Sequence, residues 1–240
     1  MKTKVFKANE RGHADYGWLK ANYSFSFANY RNSERDHFGA LRVLNDDFID
    51  GGTGFGEHPH NNMEIISIPL KGGLKHKDSM SNTWIPLMAD EVQVMSAGTG
   101  VVHAEKNESS GELLNLFQIW VIPERQGFEP AYDQKLFPKS GRKNQLQRMV
   151  NSYSDASNGE LKIHQDARIS RIDLSEGNSF EYTLKSNNHG TYIMVISGKL
   201  DVEDKQLLAR DAAGVWQTDR FSLKAREDSE LLFIEVPMYF

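Results

Sequence analysis

Two short runs about forty residues apart carry the groups best suited to chemistry. One is His58-Pro59-His60, followed by Glu64. The other is Gly98-Thr99-Gly100-Val101-Val102-His103-Ala104-Glu105. Strand side chains alternate faces with a period of 2, so residues two or four apart on a strand share a face. On strands, His58, His60, Glu64, His103 and Glu105 can all point into one cavity. Three imidazoles and a carboxylate gathered there would hold a first-row divalent metal. The competing reading is a polar interior without metal. Isolated structural histidines, however, seldom come as an i, i+2 pair with a third in a glycine-rich run.

Parity leaves the carboxylate open between Glu64 and Glu105. At about 3.3 Å of rise per residue, Glu105 lies roughly 6.6 Å along the strand from His103. Glu64 lies roughly 13 Å from His60, and a bend or bulge would be needed to bring it to the same ion.

The elements that must position these groups read as β-structure. Leu113 to Ile122 forms an apolar run closed by Pro123, and Gly72-Gly73 marks a turn between two extended segments. Glu91 to Val94, Arg171 to Leu174 and Leu200 to Val202 alternate, and Tyr192 to Ile196 is apolar up to Ser197-Gly198. Pro69 inside a strand pattern suggests an edge or a bulge. Long amphipathic helical patterns are scarce, which points to a sandwich or barrel of short strands. Phe25, Phe27 and Tyr30 read as core aromatics, and the Lys/Arg cluster at 139–148 as a solvated face. His13 reads as a structural hydrogen-bonding residue; His37, His76, His164 and His189 read as surface or strand histidines.

The chain has 240 residues, net charge -5 and no cysteine. Disulfides, thiolate ligands and a cysteine nucleophile are therefore excluded. The acidic balance argues against binding nucleic acid through a basic surface. No apolar run approaches the roughly 20 residues of a membrane span, and the first residues show no apolar signal region. The expected location is cytoplasmic. Gly98-Thr99-Gly100 lacks the following Lys-Ser/Thr of a phosphate loop.

A boundary is expected between about 124 and 160, a stretch with Pro123, Pro130 and Pro138 near its start and a polar segment near its end. Part of it, Gly141 to Val150, reads as a short helix, and Asn158-Gly159 as a tight turn. A faint repeat links Glu64–Gly72 with Gly190–Gly198, and Glu112–Pro123 with Glu230–Pro237. In that alignment His58, His60 and Glu64 fall on Leu184, Ser186 and Gly190, so the second copy lacks the ligands.

These residues resemble the cupin superfamily and, within it, the pirin family. The general motifs are Gly56-Glu57-His58-Pro59-His60 with Glu64 and Gly72, then Gly100, His103 and Asn107. More specific to pirins are Arg11-Gly12-His13-Ala14-Asp15-Tyr16-Gly17-Trp18-Leu19, Ser24-Phe25-Ser26-Phe27-Ala28, the His-Pro-His itself and the Gly-Thr-Gly-x-x-His-x-Glu run. The match covers most of residues 9–123. It implies an all-β bicupin: two β-barrel, jelly-roll domains, with a metal-bearing unit at 1–135 and a cupin-like unit without ligands at 136–240. The implied ligands are His58, His60, His103 and Glu105, and Glu64 is left to orient an imidazole or a backbone amide. Iron, as Fe(II), is the usual metal; Mn, Co, Ni, Cu or Zn would suit the same donors. The implied activity is quercetin 2,3-dioxygenase: O2-dependent cleavage of a flavonol, with Glu105 as ligand, base or both. The implied partners are a flavonol and O2, and the chain is expected to be a monomer. The alternative is a metal-containing regulatory protein whose iron oxidation state tunes binding to a protein partner. An isomerase or another cupin dioxygenase would use the same barrel.

Overall fold

The structure is a computed structural model and describes residues 1–157 and 159–239. Strands carry it; among the described residues there is no α-helix, and the helical turns are two short 3-10 segments, Ala8–Glu10 and Lys139–Arg142. The first half of the chain gives β1 (Lys2–Phe6), β2 (Gly12–Asp15), β3 (Leu19–Tyr23), β4 (Leu41–Ile49), β5 (Gly54–His60) and β6 (Glu64–Lys71). It continues with β7 (Gly73–Asp78), β8 (Ile85–Met88), β9 (Glu91–Ser96), β10 (Val101–Asn107), β11 (Leu114–Val121) and β12 (Ala131–Leu136). The second half gives β13 (Gln147–Ser152), β14 (Leu161–Ile163), β15 (Arg168–Leu174), β16 (Ser179–Thr183) and β17 (His189–Ser197). It ends with β18 (Lys199–Val202), β19 (Lys205–Leu208), β20 (Ala212–Trp216), β21 (Arg220–Ala225) and β22 (Ser229–Pro237).

Each half pairs a large sheet with a small one. The first has β12-β9-β6-β11-β4-β3-β2 and β5-β10-β7-β8; the second has β1-β20-β17-β22-β15-β13-β14 and β16-β21-β18-β19. The order β9-β6-β11-β4 is repeated by β20-β17-β22-β15, and the small sheets match strand for strand. The faint sequence repeat is thus a repeat of topology, and the fold is the expected all-β bicupin. The apolar runs at Glu64–Lys71 and His189–Ser197 became central strands because both of their faces are covered.

Alternation divides the large sheets. On one face Ile66, Ile68, Phe117, Ile119 and Val121 meet Tyr192, Met194, Leu232, Ile234 and Val236 in one core shared by the two halves. On the other face of the first sheet, Leu19, Ala21, Tyr23, Ile49, Leu114 and Leu116 line the first barrel. The second barrel is packed solid: Tyr182 stacks on Phe221 at 5.3 Å and on Phe233 at 5.0 Å between ring centroids. Its inward positions on β16 and β21 thus carry aromatics where the first barrel carries histidines.

Several expectations need correction. The helix over 141–150 does not form; a 3-10 turn ends at Arg142, and Gln147–Ser152 is a strand whose Met149 and Val150 join the shared core. The basic cluster is not wholly solvated: Arg142 is 3% exposed and bridges Asp90 at 2.8 Å and Asp173 at 3.1 Å. The N-terminal strand crosses over, since β1 pairs with β20 of the second half and Phe6 packs on Tyr192. The bulge suggested by Pro69 is present: Leu116 pairs with Pro69 and Asn115 with Lys71, which skips Leu70. The turn expected at Asn158-Gly159 falls on Asn158, outside the described residues. No helix among the described residues is long and apolar enough to cross a membrane.

Candidate metal centre

β5 and β10 lie side by side in the small sheet of the first half, with His58 paired to His103. The register shifts between His103 and Glu105, where Glu105 pairs with Phe55. Such a bulge re-aims side chains locally. The turn into β10 requires Gly98, whose φ is +48° and where an added Cβ would sit 2.1 Å from the Phe128 carbonyl oxygen.

His58, His60 and His103 each offer a nitrogen to one point, with these atoms within 4.8 Å of one another. Their ring centroids are 4.3 to 4.9 Å apart. Burial, then the neighbouring His103 and His58, lowers the His60 pKa to about 4 against the pull of Glu105. Burial, then His58 and His76, lowers His103 to about 3. Both rings are neutral at pH 7 and able to offer lone pairs.

Their partners dictate which nitrogen holds the proton. His58 Nδ1 lies 2.8 Å from the Gly56 carbonyl oxygen, which can accept and not donate, so His58 Nε2 keeps a lone pair. His76 Nε2 lies 3.0 Å from Asp78 Oδ2 and donates to it. Burial pulls the Asp78 carboxyl up, but bonds from Ser81 N–H, His76 and Met80 N–H outweigh it and lower the pKa. His76 Nδ1 then accepts from His103 Nδ1 at 3.5 Å, which leaves His103 Nε2 with a lone pair. The two Nε2 atoms face each other at 2.9 Å. Two acceptors cannot bond each other. Two nitrogens held at right angles about 2.1 Å from one cation would be about 3.0 Å apart, so this pair fits a metal.

Glu105 is 2% exposed. Gln118 Nε2 donates to its Oε2 at 3.0 Å and its Oε1 at 3.3 Å, and Ser67 Oγ lies 3.4 Å from Oε1. Its carboxylate also falls in a group with His76 and His103. Glu64 is elsewhere. A turn with Asn62 at φ +46° separates it from His60, and β6 parity aims it at the core between the halves. There it accepts from Ser96 Oγ at 2.6 Å and from the His164 backbone N–H. The structure thus brings His58, His60 and His103 to one point, sets Glu105 beside His103 and His76 and on the same cavity as His58 and His60, and leaves Glu64 out.

His58, His60 and Glu105 open onto a cavity of about 290 Å3 walled by Tyr16, Leu19, Tyr23, Phe27, Phe55 and Trp120. That is near the lower end for small-molecule sites. Phe27, expected in the core, lines this wall and meets Trp120 edge-on at 5.3 Å, whereas Phe25 is core. A larger hollow of about 430 Å3 in the second half is walled by charges that pair with one another, such as Lys139 and Glu230 at 2.6 Å. It brings no histidine to its wall. Both groups of three or more potential ligands among the described residues lie in the first half.

Sequence reasoning missed His76, Asp78, Gln118, Asn45 and Asp47. The signals were polar residues at inward positions of otherwise apolar strands, and an His-x-Asp on β7.

Residues 4–121 match the family described as Pirin, and residues 149–236 match the one described as Quercetinase C-terminal cupin domain. A protein from Escherichia coli strain K12 named quercetin 2,3-dioxygenase is 41% identical over 232 residues, 96% of this chain and 97% of its own. The chain belongs to the pirin family. A pirin-like protein from Caulobacter vibrioides is 39% identical over 224 residues, 93% of this chain and 95% of its own. Among solved structures, the bacterial pirin YhhW from Escherichia coli in complex with nickel(II) superposes with TM-score 0.91 at 38% identity, covering 98% of this chain and 99% of that one.

Proposed function

We propose that this pirin-family chain is a metal-dependent dioxygenase that cleaves a flavonol with O2, as quercetin 2,3-dioxygenase does. The observation that carries the reading is the pair of lone-pair-bearing Nε2 atoms of His58 and His103, 2.9 Å apart, with His58 and His60 on the wall of an aromatic-lined cavity. His58, His60, His103 and Glu105 would hold one divalent ion, Fe(II) first and Mn, Co, Ni, Cu or Zn by the same donors. A bound ion would supply Lewis acidity, lowering the pKa of a chelating substrate hydroxyl. Glu105 takes that hydroxyl's proton, as ligand, base or both. Gln118 fixes the carboxylate so that it meets the substrate in one orientation. Tyr23, Phe27 and Trp120 hold the flat ring and keep water out. In the net reaction both atoms of O2 enter the product as the ring opens and carbon monoxide leaves.

The nickel complex of YhhW and the name of the Escherichia coli relative support the metal and the reaction class. The division into a metal-carrying unit at 1–135 and a ligand-free unit at 136–240, in a monomer, belongs to the same reading. The test is quercetin consumption by metal-free protein and by protein loaded with each metal in turn. Turnover with at least one metal and none without supports the proposal. No turnover with any metal would point instead to the regulatory alternative.

A further inference from the structure

Three residues that line the cavity each carry a buried polar atom without a hydrogen-bond partner: Asn45 Oδ1, Asp47 Oδ1 and Trp120 Nε1. Asn45 and Asp47 are 3% and 4% exposed. They stand two residues apart on β4, at the parity that places Ile49 inside the barrel. Trp120 sits on β11, beside His60 at 4.9 Å between ring centroids. Buried polar groups are as a rule hydrogen-bonded, and leaving one unpaired costs stability. Nearby polar groups are already engaged: Gln118 is taken by Glu105 and Asn115 by Asp46.

We propose that Asn45, Asp47 and Trp120 form a recognition wall for a planar, polyhydroxylated aromatic ligand. Asn45 Oδ1 and Asp47 Oδ1 accept from ligand hydroxyls, and Trp120 Nε1–H donates to a ligand oxygen. This wall rests on the flavonol reading above and adds to it the features that select among flavonols. Burial, with the charges of Asp46 and Glu105, also holds the Asp47 carboxyl well above the ordinary carboxylate range. A site built to hydrogen-bond hydroxyls discriminates strongly against analogues that lack them, because its own groups are then left unpaired.

The test uses galangin, kaempferol and quercetin, which differ in the number of hydroxyls on the pendant ring. Binding is read from flavonol absorbance on metal-loaded protein under argon, where no turnover occurs. Wild type should bind more tightly as hydroxyls are added. Asn45→Leu and Trp120→Phe should each lose about tenfold in quercetin affinity and flatten the series, with metal content unchanged. Asn45→Leu should also melt at or above the wild-type temperature when free of ligand, because it removes an unpaired buried oxygen. Wild-type affinity and an unflattened series in both variants would overturn the wall, and so would an Asn45→Leu protein that melts several degrees lower. If wild type binds none of the three compounds, the flavonol reading itself falls and takes the wall with it.

Discussion

Replacing His76 tests how the metal-facing lone pair of His103 is set. His76 is fully buried between Asp78 and His103. In His76→Leu, the His103 Nδ1–H loses its acceptor. A buried unpaired donor costs about 1–3 kcal/mol, so His103 moves its proton to Nε2, which faces His58 Nε2 at 2.9 Å and bonds to it. A metal must then break that bond and displace the proton. The expected loss in metal affinity is about 10–100-fold, typical of removing a group that orients a ligating histidine. Asp78 is not stranded, because it still accepts from Met80 and Ser81 N–H at 2.9 and 3.0 Å. His76→Gln should recover most of the affinity, since its amide can donate to Asp78 and accept from His103. The assay is competitive titration of metal-free protein with nickel(II), alongside nitrogen NMR of the His103 ring. Unchanged affinity in His76→Leu with the His103 proton still on Nδ1 would refute the reasoning, as would equal losses in the Leu and Gln variants.

Further expectations follow from the same geometry. Metal analysis of the purified, reconstituted chain should give one equivalent, because the second barrel is filled by Tyr182, Phe221 and Phe233; two equivalents would contradict this. Glu105→Gln should retain less metal and lose most turnover, whereas Glu64→Gln should keep both; the reverse order would reassign the carboxylate. Burial raises the Glu64 pKa from its ordinary 4.5 to about 7 despite bonds from Ser96 and the His164 amide. The folded chain therefore binds this proton more tightly than the unfolded one, and the contribution of Glu64 to stability falls as pH rises from about 4.5 to about 7. Glu64→Gln should abolish that loss and be more stable than wild type at pH 8, by up to about 3 kcal/mol. Denaturant unfolding of both proteins at pH 5 and pH 8 measures it, and a difference that does not change with pH would contradict it.

The sequence made the strands legible wherever apolar residues alternated or ran unbroken to a glycine or proline, as at Leu114–Val121 and His189–Ser197. It also set His58 with His60, and His103 with Glu105, because residues two apart on a strand share a face. It left Glu64 ambiguous, because parity holds only within one strand and the turn at Asn62 starts another. The segment 141–150 misled because its charge and variety suit a helix, while Met149 and Val150 are claimed by the core between the halves. The crossover of β1 and the approach of His76 to His103 are contacts between strands distant in sequence or in different hairpins, and no local pattern encodes them.

The central claim is that the facing nitrogens of His58 and His103 are two corners of one metal site. Anomalous diffraction at the metal edge, from crystals of the metal-loaded protein, tests it directly. The predicted result is a single peak within bonding distance of His58 Nε2, His103 Nε2, His60 and Glu105. A peak on the His76 side of His103 Nδ1, or none in the first barrel of protein shown to carry metal, would contradict the account.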